Sequence, residues 1–293
     1  MTPAGTGRVG WTTNAPAKVN LDLRMRGVRD DGYHLVSTRL HTIALADRLT
    51  LVPSSEPFRI ACATDGMPVD SSNLAWKGAA AMASALDVPL DGWILRLDKA
   101  VPAEAGLGGG SADAVAAARL VAAAAGVAMP PDRLATIVGA LGADVAFFAW
   151  GGAMLGEGIG DQLTPLPDEA PAQVLLVRPT FGVATRDAYR WFDESGATAG
   201  GLTDEWRNDL EPPVAARHPA IRAIVERLYE AGARYAAMSG SGSACFGLFE
   251  MSRDLGRLAV GWPDGARTWQ TRLLSRTEYE GATACVGSGS HDA

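Results

Sequence analysis

Cysteine is scarce in this chain, and the little there is has no pattern. Cys62, Cys245 and Cys285 are an odd count without metal-ligand spacing, which argues against a disulfide framework and fits a reducing cytoplasm. Long apolar runs are missing as well. The alanine-rich segment that follows residue 111 is broken by Arg119, so nothing there is long and apolar enough to span a bilayer. The opening residues, "MTPAGTGRVGWTTNAPAK", lack the apolar core of a signal peptide. Positive charge is in deficit: the formal net charge is -7 and the pI near 5.2. A nucleic-acid binder would show a basic face instead. An anionic small molecule stays admissible, because a local cluster of donors can dominate inside a cleft. These absences predict a soluble, cytoplasmic globular protein without nucleic-acid or membrane partners. No surplus amphipathic helix or heptad appears, and the chain is expected to be a monomer or weak homodimer.

The composition is 47% hydrophobic over 293 residues, enough for one large domain or two ordinary ones. Alternating apolar residues predict strands at 18–25, 43–52, 58–63 and 93–98. "SSNLAWKGAAAMASAL" (71–86) reads as a helix with serine caps; further helices are expected from near Ser111 and over 132–141. The proline-rich "GDQLTPLPDEAPAQ" (160–173) reads as a connection between domains. Beyond it come a short strand "VLLVRP", an amphipathic helix over 218–233, and a strand–loop–strand in "RYAAMSGSGSACFGLF". Helices and strands mix in both halves without a regular βαβ repeat, which favours an α+β fold over a doubly wound sheet. The expected organisation is a first domain over 1–165, a second over 166–284, and a disordered tail over 285–293.

Glycine is concentrated where it demands a reason. "VPAEAGLGGGSADAVAAARL" (101–120) places Gly106, Gly108, Gly109 and Gly110 immediately before an alanine-rich helix. A Walker A loop would need Gly-Lys followed by Ser or Thr, and this stretch has no lysine. A Rossmann fingerprint would need a glycine at position 111, and a hydrolase elbow a glycine where Asp113 stands. What remains is the physics that phosphate loops share. Residues without side chains let an anion approach backbone N–H groups, and the helix N-terminus that follows favours negative charge. A cradle is therefore favoured over a plain turn.

Three other segments support that reading. "APAKVNLDL" puts Lys18 and Asn20 on one face of a strand. "DDGYH" (30–34) is a turn carrying Tyr33 and His34. Asp144 stands between Gly142 and the apolar run 145–150, where a carboxylate must find a cation or serve chemistry. Locally, Asp144 is equally open to a helix-cap role.

In this order, "PAKVNL", "DDGYH", "PAEAGLGGGSADA", "LGADV", "RNDLE" (207–211) and "MSGSGSACFGLF" resemble the GHMP kinase superfamily over nearly the whole chain. The lysine–asparagine strand paired with Gly-Tyr-His narrows the likeness to the branch that acts on a cytidine diphosphate-linked methylerythritol. The resemblance implies two α+β domains flanking a cleft, the first like domain 2 of ribosomal protein S5 and the second a ferredoxin-like α/β sandwich. It implies transfer of the γ-phosphoryl of ATP, with Mg²⁺, to the 2-hydroxyl of that small molecule. Asp144 takes the place of the general base, with Lys18 beside it. The loop from Gly106 through Leu107, Gly108, Gly109 and Gly110 to Ser111, with Pro102 ahead of it, falls on the ATP phosphates. Asn73 and Lys99 fall near the adenosine. Tyr33, His34 and Tyr189 fall around the cytosine, and Asn20 near the polyol. Asp209 falls near substrate or caps a turn, and the loop 239–243, with Ser241 and Gly242, lies over the cleft.

Two departures stand out. Relatives usually carry proline where this chain has Ala146, which is expected to hold Asp144 less rigidly. Gly109 and Gly110 also precede the first serine, leaving open whether Ser111 meets Mg²⁺, caps the helix, or does both. Other GHMP kinases, of the homoserine or mevalonate type, and a non-catalytic nucleotide-binding relative are the competing readings.

Overall fold

The computed structural model describes residues 8–197, 205–258, 261–262 and 265–288. Its largest feature is a long antiparallel hairpin, β1 (Gly10–Val28) with β2 (His34–Pro53). β3 (Arg59–Cys62) and β4 (Trp93–Asp98) extend it on one side, and β5 (Ala153–Glu157) with β6 (Gln162–Pro165) pairs with the far half of β2. Against this sheet lie α1 (Leu74–Leu86), α2 (Gly109–Ala124), α3 (Pro131–Val138) and the short α4 (Phe147–Trp150). The second region is a four-stranded antiparallel sheet in the order β10 (Arg267–Arg272), β7 (Gln173–Arg178), β9 (Cys245–Phe249), β8 (Tyr235–Met238). It is covered by α5 (Thr185–Glu194), α6 (Glu211–Arg217) and α7 (Pro219–Glu230). The chain then closes with α8 (Arg276–Ala282) and β11 (Val286–Ser288).

The alternation along β1 explains how the two regions meet. Ala17, Val19 and Leu21 face one way and pack on Val174, Leu176, Phe246 and Leu248 of the second sheet. Lys18 and Asn20, on the opposite face, are left to line a cleft. Register shifts on either side of Lys18–Asn20 interrupt the ladder with β2, and such bulges re-aim side chains near functional sites.

Helices α1 and α2 cross closely because their contact is made of glycine and alanine. A Cβ on Gly78 would stand 2.0 Å from the carbonyl oxygen of Ala114. This packing anchors the helix that carries the glycine loop.

Several boundaries differ from the sequence expectations. Asn73, not a serine, caps α1: its Oδ1 accepts the Ala75 N–H at 2.8 Å. Helix α2 begins at Gly109, two residues before Ser111. The connection expected over 160–173 contributes β6 to the first sheet before it leaves. Residues 286–288, within the expected disordered tail, pair with Gly10–Thr12, while 289–293 lie outside the described residues. The segment from α8 onward belongs to the first region, since Tyr279 is buried there and donates its hydroxyl to the Phe148 carbonyl. Local pattern does not show such a return, because it depends on where the second sheet delivers the chain.

Candidate active site

A cleft of about 1000 Å³ opens between the two regions, bordered by the glycine loop, Lys18, Asn20, Asp144, the start of α5 and the loop after β8. Gly108 precedes α2 at φ 70°, and no side chain caps that end. The N–H groups of the first helical turn therefore lack intrahelical partners where they meet the cleft. Two glycines are required by their surroundings. At Gly106 (φ 74°) a Cβ would stand 2.0 Å from the Ser239 carbonyl oxygen; at Gly108 it would stand 2.7 Å from Phe148 and 3.2 Å from Lys18 Cε. Ser111 lies inside the helix, so its hydroxyl is not the N-cap.

The loop is held from both regions. Lys18 N–H donates to the Leu107 carbonyl at 3.0 Å, and Ala244 N–H donates to the Ala105 carbonyl at 3.2 Å. Ser239 donates its hydroxyl to the Gly106 carbonyl at 2.9 Å and accepts the Asn20 N–H at 3.3 Å. Asn208 sets the loop after β8, its amide donating to Met238 and Gly240 carbonyls at 2.8 and 2.7 Å. Ser241 and Gly242 line the cleft, and the Ser241 hydroxyl meets that of Thr185 at 3.1 Å.

Lys18 and Asp144 come together, 3.3 Å apart, although they are distant in sequence. Lys18 is 4% exposed at its side chain and Asp144 38%, so the ammonium is fixed from below and the carboxylate faces the cleft. Lys18 donates to Asn20 Oδ1 at 2.6 Å; Asn20 donates to Thr38 at 2.8 Å, and Thr38 to the Asp22 carbonyl at 2.7 Å. This chain of hydrogen bonds fixes the orientation of the amide and, through it, the lysine. Ala146 has φ -58° and ψ -33°, the φ that proline would impose, so its backbone follows that course without the ring.

Tyr189 also lines the cleft; the His34 ring, itself outside that lining, lies 4.9 Å from that of Tyr189, and His34 Nε2 meets Asp193 at 2.8 Å. Burial, with the nearby Asp144 charge, pushes the Tyr189 hydroxyl up to about 12, so it stays a neutral donor. Tyr33 is 60% exposed, at the hairpin turn, with the Arg29 guanidinium 5.5 Å from its ring. It does not pair with Tyr189 in this structure.

Three predicted residues have polar groups already engaged within the protein, although Asn73 and Lys99 line the cleft. Asn73 caps α1 and donates to the Pro68 carbonyl at 2.6 Å. Asp209 accepts the Met25 N–H at 2.9 Å and Arg207 Nε at 2.7 Å, outside the cleft lining. Lys99 borders the cleft but is ion-paired with Asp47 and, at 2.7 Å, with Asp113. Burial lowers the Lys99 pKa, but the two carboxylates more than offset this and leave it raised. One ammonium does not satisfy two buried acids: burial, with Asp47 adding to it, pushes Asp113 up to about 7 against the pull of Lys99. Asp47, Asp113, Asp193 and Asn208 were not picked out from the sequence. Asp193 had one signal, its i, i+4 spacing from Tyr189 on a helix.

Among known proteins, the chain matches the GHMP kinases N terminal domain over residues 73–152 and the GHMP kinases C terminal model over 186–264. It is 39% identical over 287 residues to 4-diphosphocytidyl-2-C-methyl-D-erythritol kinase of Moorella thermoacetica, covering 91% of this chain and 98% of that protein. The kinase of the same name from Deinococcus radiodurans is 38% identical, covering 80% of this chain and 82% of its own. A crystal structure of 4-(cytidine 5'-diphospho)-2C-methyl-D-erythritol kinase superposes with TM-score 0.78 at 32% identity, over 89% of this chain and 98% of that one. Homoserine kinase from Cytophaga hutchinsonii shares the fold, with TM-score 0.69 at 18% identity over 98% of this chain and 100% of its own.

Proposed function

Since the chain belongs to the GHMP kinases, and within them to the 4-diphosphocytidyl-2-C-methyl-D-erythritol kinase family, we propose that it moves the γ-phosphoryl of ATP to the 2-hydroxyl of that cytidine diphosphate-linked alcohol. The observation that carries the residue assignment is the Lys18–Asp144 pair at 3.3 Å, beside an uncapped helix start in one cleft. The 2-hydroxyl oxygen attacks the γ-phosphorus, Asp144 accepts the hydroxyl proton, and ADP leaves with the bridging oxygen. Lys18, 3.3 Å from Asp144, orients that carboxylate and stabilises charge growing on the transferring group. Glycine-loop and α2 N–H groups hold the phosphates.

Mg²⁺ enters this reading as part of the nucleotide. The only lysines or arginines among the described residues lining the cleft are Lys18 and Lys99, and both already face carboxylates. A divalent ion bound with the nucleotide would supply further neutralisation of its phosphates, and Ser111, which lines the cleft, would be the side chain to meet it. Tyr189 and His34 offer a face and an edge to the cytosine, with Asn20 and the loop after β8 nearer the polyol. No described helix is long and apolar enough to cross a membrane, and a cytoplasmic monomer or weak dimer acting on small molecules is the working state.

Labelled phosphate transfer from ATP, with homoserine and mevalonate as competing acceptors, tests the reading. Asp144→Asn is expected to lower kcat by about 10²–10⁴ while the protein stays folded. A variant near full rate would remove Asp144 from the mechanism, and preference for either competing acceptor would overturn the substrate.

A further inference from the structure

The two ends of the glycine loop are tied together by a buried ionic bridge that phosphoryl transfer itself does not use. Lys99 stands at the loop's entry, directly after β4; Asp113 stands one turn into α2, at its exit; Asp47 belongs to β2. The Lys99 side chain is 7% exposed, and those of Asp47 and Asp113 are 0% and 3%. Lys99 Nζ pairs with both carboxylates, and Asp47 Oδ1 also accepts the Ala100 and Val101 N–H groups at 2.6 and 2.8 Å. The ammonium sits 3.5 Å from the point where a Cβ on Gly109 would project, directly under the first residue of the phosphate helix.

Stability is a poor explanation for this arrangement. Desolvating three charges costs about as much as their attraction returns, and apolar replacements of buried pairs are often neutral or better. Asp113 Oδ1 is buried without a hydrogen-bond partner, which adds to the cost. What an ionic bridge supplies and a greasy contact does not is a fixed distance between particular atoms. A glycine-rich loop needs that most, since its own residues restrain it least.

We infer that Asp47, Lys99 and Asp113 act as positioning residues for the nucleotide. Their bridge sets the span between loop entry and helix start, so that the free N–H groups converge on the phosphates. This rests on the kinase reading above and assigns the bridge no contact with the acceptor alcohol.

Asp113→Ala is the informative variant, because it cuts the tie to α2 while Lys99 and Asp47 stay paired, and alanine suits a helix. Calorimetry with MgADP should show Kd raised by about 10–100-fold, with KM for ATP rising in parallel and KM for the cytidine diphosphate-linked alcohol within about two-fold of wild type. Asp113→Asn keeps an oxygen acceptor for Lys99 and should return MgADP affinity to within about three-fold. An unchanged Kd in folded Asp113→Ala overturns the inference, and so does equal weakening toward both substrates, which marks a merely structural role. If wild type itself does not bind MgADP, the kinase reading fails first and the bridge loses its purpose with it.

Discussion

At the glycine-loop end of the cleft the polar groups on offer are backbone: glycines at positive φ, an uncapped helix turn, and a loop latched by Ser239 and Asn208. Around Tyr189, which lines the cleft from α5, the groups are side chains, with His34 from β2 and Asp193 from α5 converging from separate regions. Under the proposed function, the contrast follows from what each end would have to recognise. A phosphate chain is a diffuse anion, met by N–H groups on a pre-shaped backbone. A nucleobase has a face and an edge, and only rings and directed polar groups read them. The first end should therefore fail when space is filled, and the second when side-chain surface is removed.

Gly108→Ala is the strongest way to break the first half of that comparison. Its Cβ would stand 2.7 Å from Phe148 and 3.2 Å from Lys18 Cε, at a φ of 70°. Strain of about 1–2 kcal/mol plus the displaced lysine should lower kcat/KM for ATP on the order of 100-fold or more, read by steady-state kinetics. A mild effect there would mean that the loop does not approach the nucleotide closely. Tyr189→Ala should act at the other end, raising KM for the cytidine substrate by about 5–100-fold, the range set by losing one base stack, while KM for ATP holds. If the two KM values moved together, the ends would not be separable. The smallest effect serves as a control remote from both. His41 is buried, accepts the Glu169 N–H at 3.3 Å on Nε2, and sits with Nδ1 3.0 Å from the Thr42 carbonyl. Burial lowers its pKa below 6.5, so the unfolded chain binds the proton more readily. Its stabilising contribution is present above about pH 6.5 and is lost as pH falls through the folded value. Tm should decline by a few degrees on acidification, and His41→Gln should flatten that slope without altering either KM.

The same division explains what could be read in advance. The glycine loop was legible because backbone conformation at Gly106 and Gly108 is a local property that only one residue type serves well. Lys18 and Asn20 were legible because a period of two put them on one face. The partners of Lys99 were hidden for an equally physical reason. It borders the cleft, but two carboxylates from β2 and α2 surround it, and neither lies near it in sequence. A count held a clue: the chain has only three lysines, Lys18, Lys77 and Lys99, and two of them border the cleft. Asp209 and Asn73 were chosen by motif, yet backbone N–H groups claim their side-chain oxygens.

By itself the sequence determined the α+β class, the positions of most strands and helices, the glycine loop, and the candidate lysine and acid. These depend on periodicity and on residue-specific backbone freedom, which act over a few positions. Only the tertiary structure decided that Lys18 meets Asp144, that Tyr189 and Asp193 meet His34, that a second-region loop latches the first region's glycines, and that the last helix and strand return to the first sheet. Those outcomes require segments far apart in the chain to be packed against one another, and the packing is set by the core shared between the two sheets.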